Sequence, residues 1–388
     1  MTALLFILAV LTAVIGLWPF GPYQASLALA RRLHRFPPVP RPDGPGPSTF
    51  ALCVCAYNER TCIEAKIADM LRLREAAGGD LEILVHVDAA DDGTTEILRA
   101  HEKDIRLVVA PHRRGKTEGM NRLVDMTDAE IVIFTDANVA VGRDTVAVLR
   151  RWFADSTVGC VCADLTYVNA DESATATVGS AYWRFNEWSK ALETDTGSVL
   201  GADGALFAIR RSLHRPVPRG MIDDLHVSLS VLLQGARVVR AADLKAREMH
   251  ATDAHDEFAR KARIACECMH VHFDLWPRLR RLDLWHLYKY VGHRLLRWIG
   301  GFFLAASGLL TLAALATVVG PGWTLTLATT LAALFALAVH FRVRLALRLW
   351  NVALAFAGCA LGVVRALRGE RAVTWSLAGS SRRAPLGG

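Results

Sequence analysis

The chain has 388 residues, of which 52% are hydrophobic, a larger share than a typical globular protein contains. The apolar residues concentrate near both ends, so part of them is expected to lie outside a soluble core. The formal net charge of +7 does not indicate nucleic-acid binding, because much of it lies in arginines that flank the apolar segments rather than in a basic patch interleaved with aromatic residues.

An uncharged apolar segment opens the chain. Residues 3–20 are close to the length that a bilayer requires, and the basic stretch RRLHR follows at 31–35. A cleaved signal peptide is the alternative, because ALA at 28–30 resembles a cleavage site, but no basic region precedes the apolar run. We therefore expect a transmembrane anchor over 1–22 and a basic, proline-rich linker over 23–45, with the next domain in the cytosol.

Residues 46–257 alternate between short apolar runs, typical of buried strands, and segments with apolar residues at helical spacing. The pattern predicts an α/β domain with a mainly parallel sheet flanked by helices, in which ligands bind beyond the carboxyl ends of the strands. Asp88 follows the run at 81–87, and Asp136 ends the run at 131–136. The sequence therefore predicts that both carboxylates project into one ligand crevice.

Two common phosphate-binding motifs are absent from the sequence, since no G-x-G-x-x-G follows the first strand and no G-x-x-x-x-G-K-[ST] occurs. Carboxylates recur at strand ends instead, and carboxylate oxygens suit a divalent cation that in turn binds phosphates. Taken alone, the pair Asp136 and Asn138 is weak evidence, because an acidic residue at a strand end is more often a turn or helix cap.

Six sequence blocks give a more specific indication: CAYNE (55–59), VDAADDGTTEIL (87–98), RRGKTEGMN (113–121), FTDAN (134–138), GADGALFAIRR (201–211) and IDDLHVSLSVLLQGARV (222–238). In order and spacing they resemble family 2 glycosyltransferases, in the membrane-bound branch that includes cellulose, hyaluronan and chitin-oligosaccharide synthases. The resemblance continues through RKARIACECM and GHRLLRW to RGERAVTW at 368–375. It implies a GT-A fold, with a Rossmann-like nucleotide-binding domain between N-terminal and C-terminal transmembrane helices.

The resemblance also implies a nucleotide site. Ala56, Tyr57 and Glu59 match the first-strand motif that lines the nucleotide. Asp88 matches the aspartate that hydrogen-bonds the uracil edge, and Asp92 would support that loop.

A cation and a metal are implied beside the diphosphate. Lys116 and Asn121 match the Gly-Lys motif that lies next to the nucleotide. Asp136 and Asn138 match the Asp-x-Asp motif that holds Mg²⁺ or Mn²⁺, although an amide replaces the second carboxylate and supplies one negative charge fewer.

Asp224 is the residue expected to carry out the chemistry. It takes the place of the aspartate in the Thr-Glu-Asp motif, the general base of the family, with Ile222 and Asp223 in the other two positions. Apolar residues repeat at helical spacing after this pair, so one of the two carboxylates could serve only as a helix cap.

Further candidates lie in three other segments. Arg260 and Arg263 resemble the Gln/Arg-x-x-Arg-Trp motif and could bind the diphosphate, or they could form a solvated basic helix face. Asp203 and Gly204 of the GADG block are implied to contact a sugar. Trp183, in the stretch YWRFNEW, is either a core residue or part of an aromatic ledge near the acceptor.

The C-terminal part is divided by composition. We expect amphipathic interfacial helices over 258–298, transmembrane helices over 299–368 and a tail over 369–388. Three spans after a cytosolic domain would export the arginine-rich tail against the positive-inside tendency, so either one segment is re-entrant or the tendency is broken.

The resemblance implies an inverting hexosyl- or N-acetylhexosaminyl-transferase, with a UDP-sugar as donor and a saccharide or lipid-linked acceptor. It would work at the cytosolic face of the inner membrane, among membrane lipids and without nucleic acid. The alternatives are a processive polysaccharide synthase, a catalytically inactive nucleotide-binding scaffold and a transporter. A transporter would carry polar residues in its spans, and a scaffold would have lost Asp136 or Asp224.

Overall fold

The computed structural model describes residues 1–372. Residues 373–388 lie outside this described part, and with them most of the predicted tail 369–388, including Arg382 and Arg383. The strands within the described residues are β1 (Phe50–Ala56), β2 (Leu81–Val87), β3 (Arg106–Val109), β4 (Ile131–Asp136), β5 (Ala140–Val141), β6 (Val158–Tyr167), β7 (Leu206–Arg210) and β8 (Arg237–Glu248).

The α-helices within the same residues are α1 (Thr2–Leu17), α2 (Pro22–Leu33), α3 (Ile63–Ala76), α4 (Thr94–Arg99), α5 (Lys116–Asp125), α6 (Thr145–Trp152), α7 (Ala174–Asp195), α8 (Asp223–Leu232), α9 (Ala254–Leu279), α10 (Leu284–Lys289), α11 (Leu296–Val319), α12 (Pro321–His340) and α13 (Arg344–Leu367). A π-helical turn, Tyr290–Leu295, joins α10 to α11.

The strands form one sheet in the order β3-β2-β1-β4-β7-β6-β8-β5. The first four of these run parallel, β7 is antiparallel to both of its neighbours, β6 and β8 are parallel, and β5 is antiparallel to β8. A mainly parallel sheet flanked by helices confirms the predicted fold class. In the register, Cys55 of β1 pairs with Asp136 and Ala56 pairs with Val87, so Asp88 and Asp136 reach the same edge of the sheet.

The sheet separates two apolar layers. Alternate residues of β1 point to opposite faces: Leu52 and Val54 join the layer covered by α3, whereas Ala51 and Cys53 join the layer that α5, α8 and α9 cover. All four side chains are fully buried. Because both faces are covered, the strands read as continuous apolar runs instead of alternating ones.

Within the described residues, four helical segments are long and apolar enough to cross a membrane: Thr2–Phe20, Leu284–Val319, Pro321–His340 and Arg344–Leu367. The first two pack antiparallel, because Thr2 hydrogen-bonds Thr317 at 2.7 Å near one end and Gly16 lies against Gly300 near the other. Small residues at this second contact allow the two backbones to approach closely.

The last helix, α13, packs on α11, where a Cβ atom on Gly301 would lie 3.2 Å from the carbonyl oxygen of Phe356, and also on helices of the α/β domain. A Cβ atom on Gly362 of α13 would lie 2.3 Å from the carbonyl oxygen of Ala262, so α13 packs directly on α9. Asn351 hydrogen-bonds Thr175 of α7 at 3.1 Å. Beyond the helix, the carbonyl oxygen of Glu370 lies 2.7 Å from a histidine Nε2 of α9. Contacts with the α/β domain therefore extend along most of α13.

Candidate active site

A cavity of about 280 Å³ lies at the carboxyl edge of β1 and β4. Side chains from the sheet, from α7, α8 and α9, and from the start of α11 line it. The structure brings ten of the predicted site residues together here: Glu59, Lys116, Asp136, Trp183, Asp203, Gly204, Asp223, Asp224, Arg260 and Arg263.

Lys116 is at the centre of the charged groups in this cavity. It is the first residue of α5, and its Nζ atom lies 2.8 Å from Asp136 Oδ1 and 3.2 Å from Asp223 Oδ2. Burial alone would lower the pKa of Lys116, but the two carboxylates raise it above its usual value. The ammonium group is therefore charged and holds β4 and α8 together.

The turn before Lys116 is fixed by Asp88. The two carboxylate oxygens of Asp88 accept hydrogen bonds from the backbone N–H groups of Arg114 and Gly115, at 2.7 and 2.9 Å. Gly115 has a φ of +95°, which a residue with a side chain adopts only with strain. Asp88 is fully buried and does not line the cavity, so in this structure its carboxylate positions the lysine. Its role toward uracil stays a prediction.

Asp223 and Asp224 form the first turn of α8, as the helical spacing predicts. Burial and the adjacent carboxylate of Asp223 raise the pKa of Asp224 to about 8, against the opposing effect of Lys116. A Cβ atom on Gly204 would lie 3.2 Å from Asp224 Oδ2, so the glycine leaves this carboxylate accessible from the cavity. Asp224 therefore has the environment of a proton acceptor that works near neutral pH.

The loop before β7 is held from two sides. Asp203 is partly buried and forms an ion pair with the fully buried Lys190 of α7. Burial alone would raise the pKa of Asp203, but Lys190 lowers it below its usual value. Arg294 of the π-helical turn donates to the carbonyl oxygen of Leu200 at 2.6 Å. These contacts fix the loop that carries Gly204 beside Asp224.

Asp136 and Asn138 have different surroundings. Asp136 lines the cavity, whereas the buried Asn138 does not line it and donates from Nδ2 to Glu248 Oε1 at 3.1 Å. Glu248, the last residue of β8, does line the cavity. The Asp136 carboxylate binds one cationic group, the ammonium of Lys116, at 2.8 Å. Because it also faces the cavity and carboxylate oxygens bind divalent cations, it fits a divalent cation there. The role of Asn138 as a direct ligand stays a prediction.

The two arginines of α9 line the cavity, each held by a carboxylate on its own helix. Arg260 Nε lies 2.9 Å from Glu257, and Arg263 Nη1 lies 3.0 Å from Glu267. The two side chains thus face the cavity in ion pairs and do not form a solvated helix face. Either guanidinium can still offer its remaining N–H groups to an anion. Ile264 lines the cavity next to them, where the related motif has tryptophan.

The other predicted nucleotide contacts lie outside the cavity lining: Ala56, Tyr57, Asp88, Asp92, Asn121 and Asn138. The Arg113 guanidinium lies 3.6 Å from the centre of the Tyr57 ring, and Asp92 accepts from the N–H of Thr94, the first residue of α4. Asn121 is occupied on both sides of its amide by the backbone of Val217, at 2.9 and 3.0 Å.

Several lining residues were not expected from the sequence. Glu267 could have been found, because it lies four residues after Arg263 on a predicted helix. Tyr182, Asn186, Lys261, Arg294 and Arg297 carry no signal beyond helical periodicity. Asp253, His255 and Asp256 are close enough together to hold a metal, but Asp253 already accepts from the N–H groups of the other two as the N-cap of α9.

The sheet order, the flanking helices and the position of this acidic, lysine-centred cavity at the sheet edge define a GT-A fold. Mannosyltransferase PcManGT from Pyrobaculum calidifontis, solved in complex with GDP-Man and Mn²⁺, superposes with a TM-score of 0.68 at 23% sequence identity. The match covers 95% of this chain and 100% of that one. At this identity the likeness shows the fold, and it confirms the GT-A fold that the sequence predicts.

Sequence similarity indicates the family of the α/β domain. The family described as Glycosyl transferase family 2 matches residues 51–217, so the chain contains a family 2 glycosyltransferase domain. An N-acetylglucosaminyltransferase of Rhizobium meliloti (strain 1021) is 25% identical over 268 residues, which are 64% of this chain and 61% of that protein. Another, from Rhizobium sp. (strain N33), is 23% identical over 215 residues, 51% of this chain and 47% of that protein. The chain thus matches less than two thirds of either relative.

The pKa of Asp224 leads to a prediction about pH. If Asp224 accepts a proton during the reaction, kcat/KM should rise about tenfold per pH unit up to pH 8 and then level off, because only the ionised carboxylate is active. In Asp223→Asn the neighbouring negative charge is lost, so the rising limb should move to lower pH. A limb that stays in place in this variant would contradict the assigned cause of the shift.

Proposed function

We propose that the chain is an inverting, membrane-bound glycosyltransferase. It transfers a hexose or an N-acetylhexosamine from a nucleotide-diphosphate sugar, with UDP as the expected nucleotide, to a saccharide or lipid-linked acceptor. The observation that carries this proposal is the grouping of Lys116, Asp136, Asp223 and Asp224 around one cavity, with Asp224 of raised pKa beside the open space at Gly204.

Asp224 acts as the general base in this mechanism. An acceptor hydroxyl gives its proton to the Asp224 carboxylate while its oxygen forms a bond to the anomeric carbon. The bond from that carbon to the diphosphate oxygen breaks, and the nucleoside diphosphate leaves with the electron pair. Because no enzyme group bonds to the sugar, the configuration at the anomeric carbon inverts. Lys116, and Arg260 and Arg263 on the opposite helix, compensate the negative charge of the leaving group.

A bound Mg²⁺ or Mn²⁺ would compensate further charge on the diphosphate, and Asp136 is the residue that would hold it. Lys116 donates to Asp136 in the structure and stays available to a phosphate oxygen when the carboxylate takes another partner. The Rhizobium relatives are N-acetylglucosaminyltransferases, and the structural relative was solved with GDP-Man. A panel of UDP- and GDP-sugars, with nucleoside diphosphate release as the readout, tests the donor.

The base assignment predicts the effect of Asp224→Asn. The variant should lower kcat by about 10²- to 10⁴-fold, because removal of a general base slows the chemical step. The nucleotide Kd, measured by calorimetry, should stay within about twofold, because ground-state binding does not need the base. Asp171→Asn, which removes an exposed carboxylate, serves as the control. If Asp223→Asn abolished turnover and Asp224→Asn did not, the two roles would be reversed.

Metal removal gives a second test. Transfer by the purified enzyme should stop in excess chelator and return when Mn²⁺ or Mg²⁺ is added, because without the metal the Asp136 carboxylate would repel the diphosphate. Asp136→Asn should raise the metal concentration that gives half-maximal binding, measured by calorimetry without donor, by about tenfold. Full activity in chelator would exclude a metal-dependent reaction.

We also propose that the chain is integral to the inner (cytoplasmic) membrane through α1, α11 and α12, while α13 lies at the cytosolic surface. A helix that crosses the hydrocarbon core of a bilayer, which is about 30 Å thick, needs about 20 residues in contact with lipid or with other spans. Residues 351–370 of α13 and its C-terminal extension instead contact α7 and α9 of the α/β domain. Leu345, Leu349 and Trp350 are exposed and can face the lipid surface.

This topology agrees with the charge distribution. Basic residues precede α13 at Arg342 and follow it at Arg368 and Arg371, and all of them lie on the cytosolic side when α13 does not span. The antiparallel contact of α1 with α11 brings the start of α1 and the end of α11 together, and in the proposed topology both lie on the outer side. The predicted transmembrane region 299–368 would then be limited to α11 and α12.

Reporter fusions test the topology. Alkaline phosphatase fused after Gly320 should be active in a bacterial host, because in the proposed topology this position lies on the outer side of the inner membrane. A fluorescent protein fused to the C-terminus of the full chain should fluoresce, because the tail is cytosolic, and alkaline phosphatase at the same position should be inactive. If the C-terminal phosphatase were active, α13 would be a span.

A further inference from the structure

We propose that the wall of the cavity formed by Trp183, Asn186 and Arg297 is an acceptor subsite that binds the phosphate group of a lipid-linked acceptor. This inference rests on the proposed glycosyltransferase function and identifies the chemistry of its acceptor. Trp183 and Asn186 belong to α7, and Arg297 is the second residue of α11, so the wall joins the α/β domain to the first membrane helix after it.

The first observation is a set of buried donors without partners. Among the described residues, no hydrogen-bond acceptor is found for Trp183 Nε1, Asn186 Nδ2 or Arg297 Nε, although all three atoms are buried. Asn186 is 1% exposed, and all three residues line the cavity. A buried donor without an acceptor is unfavourable, so three of them in one wall indicate a site whose ligand supplies the missing acceptors.

The second observation is the way in which Arg297 is held. Its Nη1 atom donates to Tyr182 Oη at 2.8 Å and to Asn186 Oδ1 at 2.9 Å, and Nη2 contacts His293 Nε2. A guanidinium carries five N–H bonds, so these contacts leave hydrogens at Nε and Nη2 for a ligand. No carboxylate of the described residues forms an ion pair with Arg297. The guanidinium is thus oriented by neutral groups and keeps its full charge for an anion.

The chemistry of the wall favours a phosphate over a neutral sugar. Tryptophan Nε1, the amide nitrogen and the guanidinium are all donors, and the nearby oxygens of Tyr182 and Asn186 already accept from Arg297. A sugar hydroxyl needs an acceptor as well as a donor, whereas a phosphate oxygen only accepts. Lys261 Nζ, which pairs with Glu257 at 3.5 Å, lies 4.6 Å from the Tyr182 ring centre beside this wall.

The position of the wall indicates that this phosphate is carried on a lipid. Arg297 lies where α11 leaves the α/β domain, at the depth of lipid headgroups in the proposed topology. Residues of α11 and α13, Trp298 and Cys359, line the same cavity. An acceptor whose phosphate binds here would therefore extend its chain toward the membrane and its reacting oxygen toward Asp224.

Ligand binding to the purified full-length chain in neutral detergent tests this subsite. The probes are dodecyl phosphate, inorganic phosphate and dodecyl β-glucoside, with Kd measured by calorimetry. We expect the native chain to bind dodecyl phosphate more tightly than the other two. Arg297→Gln should weaken this binding by about tenfold or more, because it removes charge-assisted hydrogen bonds. Arg184→Gln, the same change on the exposed side of α7, should alter it less than twofold.

Trp183→Phe is the second variant, and it tests the subsite if Arg297→Gln fails to fold. It removes one donor and keeps an aromatic ring. We expect it to weaken dodecyl phosphate binding by a few-fold. Nucleoside diphosphate Kd is measured on every variant and should not change. Failure of the native chain to bind any nucleotide would refute the proposed function. Binding of dodecyl phosphate is measured without nucleotide, so it tests the subsite separately from the proposed function.

Five outcomes would overturn the proposal. Dodecyl phosphate would not bind the native chain, or it would bind both variants as tightly as the native chain. Inorganic phosphate would bind as tightly as dodecyl phosphate, which would exclude a lipid-borne group. Dodecyl β-glucoside would bind in place of the phosphate, which would indicate a neutral acceptor. Arg297→Gln would weaken nucleoside diphosphate binding instead, which would assign the wall to the donor.

Discussion

The ammonium group of Lys116 is the interaction on which the rest of the site depends. It lies between a carboxylate at the end of β4 and one at the start of α8, two elements that are far apart in the chain. Each carboxylate would be unfavourable in this partly buried site without a cation, and so would the lysine without them. The three groups therefore fix one another, and Asp224 is placed next to them by the same helix turn.

Because Lys116 satisfies Asp136 and Asp223 but not Asp224, the adjacent aspartates have different electrostatic environments. Asp223 receives the direct ion pair, whereas Asp224 has a raised pKa caused by burial and by Asp223 itself. Two neighbouring carboxylates in different environments can take different roles, one as a structural and charge-holding group and one as a base. The pair in the sequence thus has a physical reason beyond helix capping.

The fold was predictable from the sequence because the strands are buried on both faces. Runs such as 50–56 and 131–134 are continuously apolar, and the carboxylates Asp88 and Asp136 mark where two of the strands end. The directions of the Asn138 and Asn121 side chains were not predictable. Asn138 donates to Glu248, and Asn121 binds the backbone of Val217. Both depend on strands and loops about 100 residues away in sequence.

The arrangement of the cavity wall at Asn186 and Arg297 was not predictable from the sequence either, because its residues come from helices that meet only in the folded chain. Glu193 of α7 accepts from Tyr23 of α2 and pairs with His293 of the π-helical turn, both at 2.6 Å. His293 in turn contacts Arg297. A chain of contacts therefore runs from the N-terminal segment to the cavity wall. Since α2 and the start of α11 both contribute to this chain of contacts, helices at both ends of the described residues help to form the cavity wall.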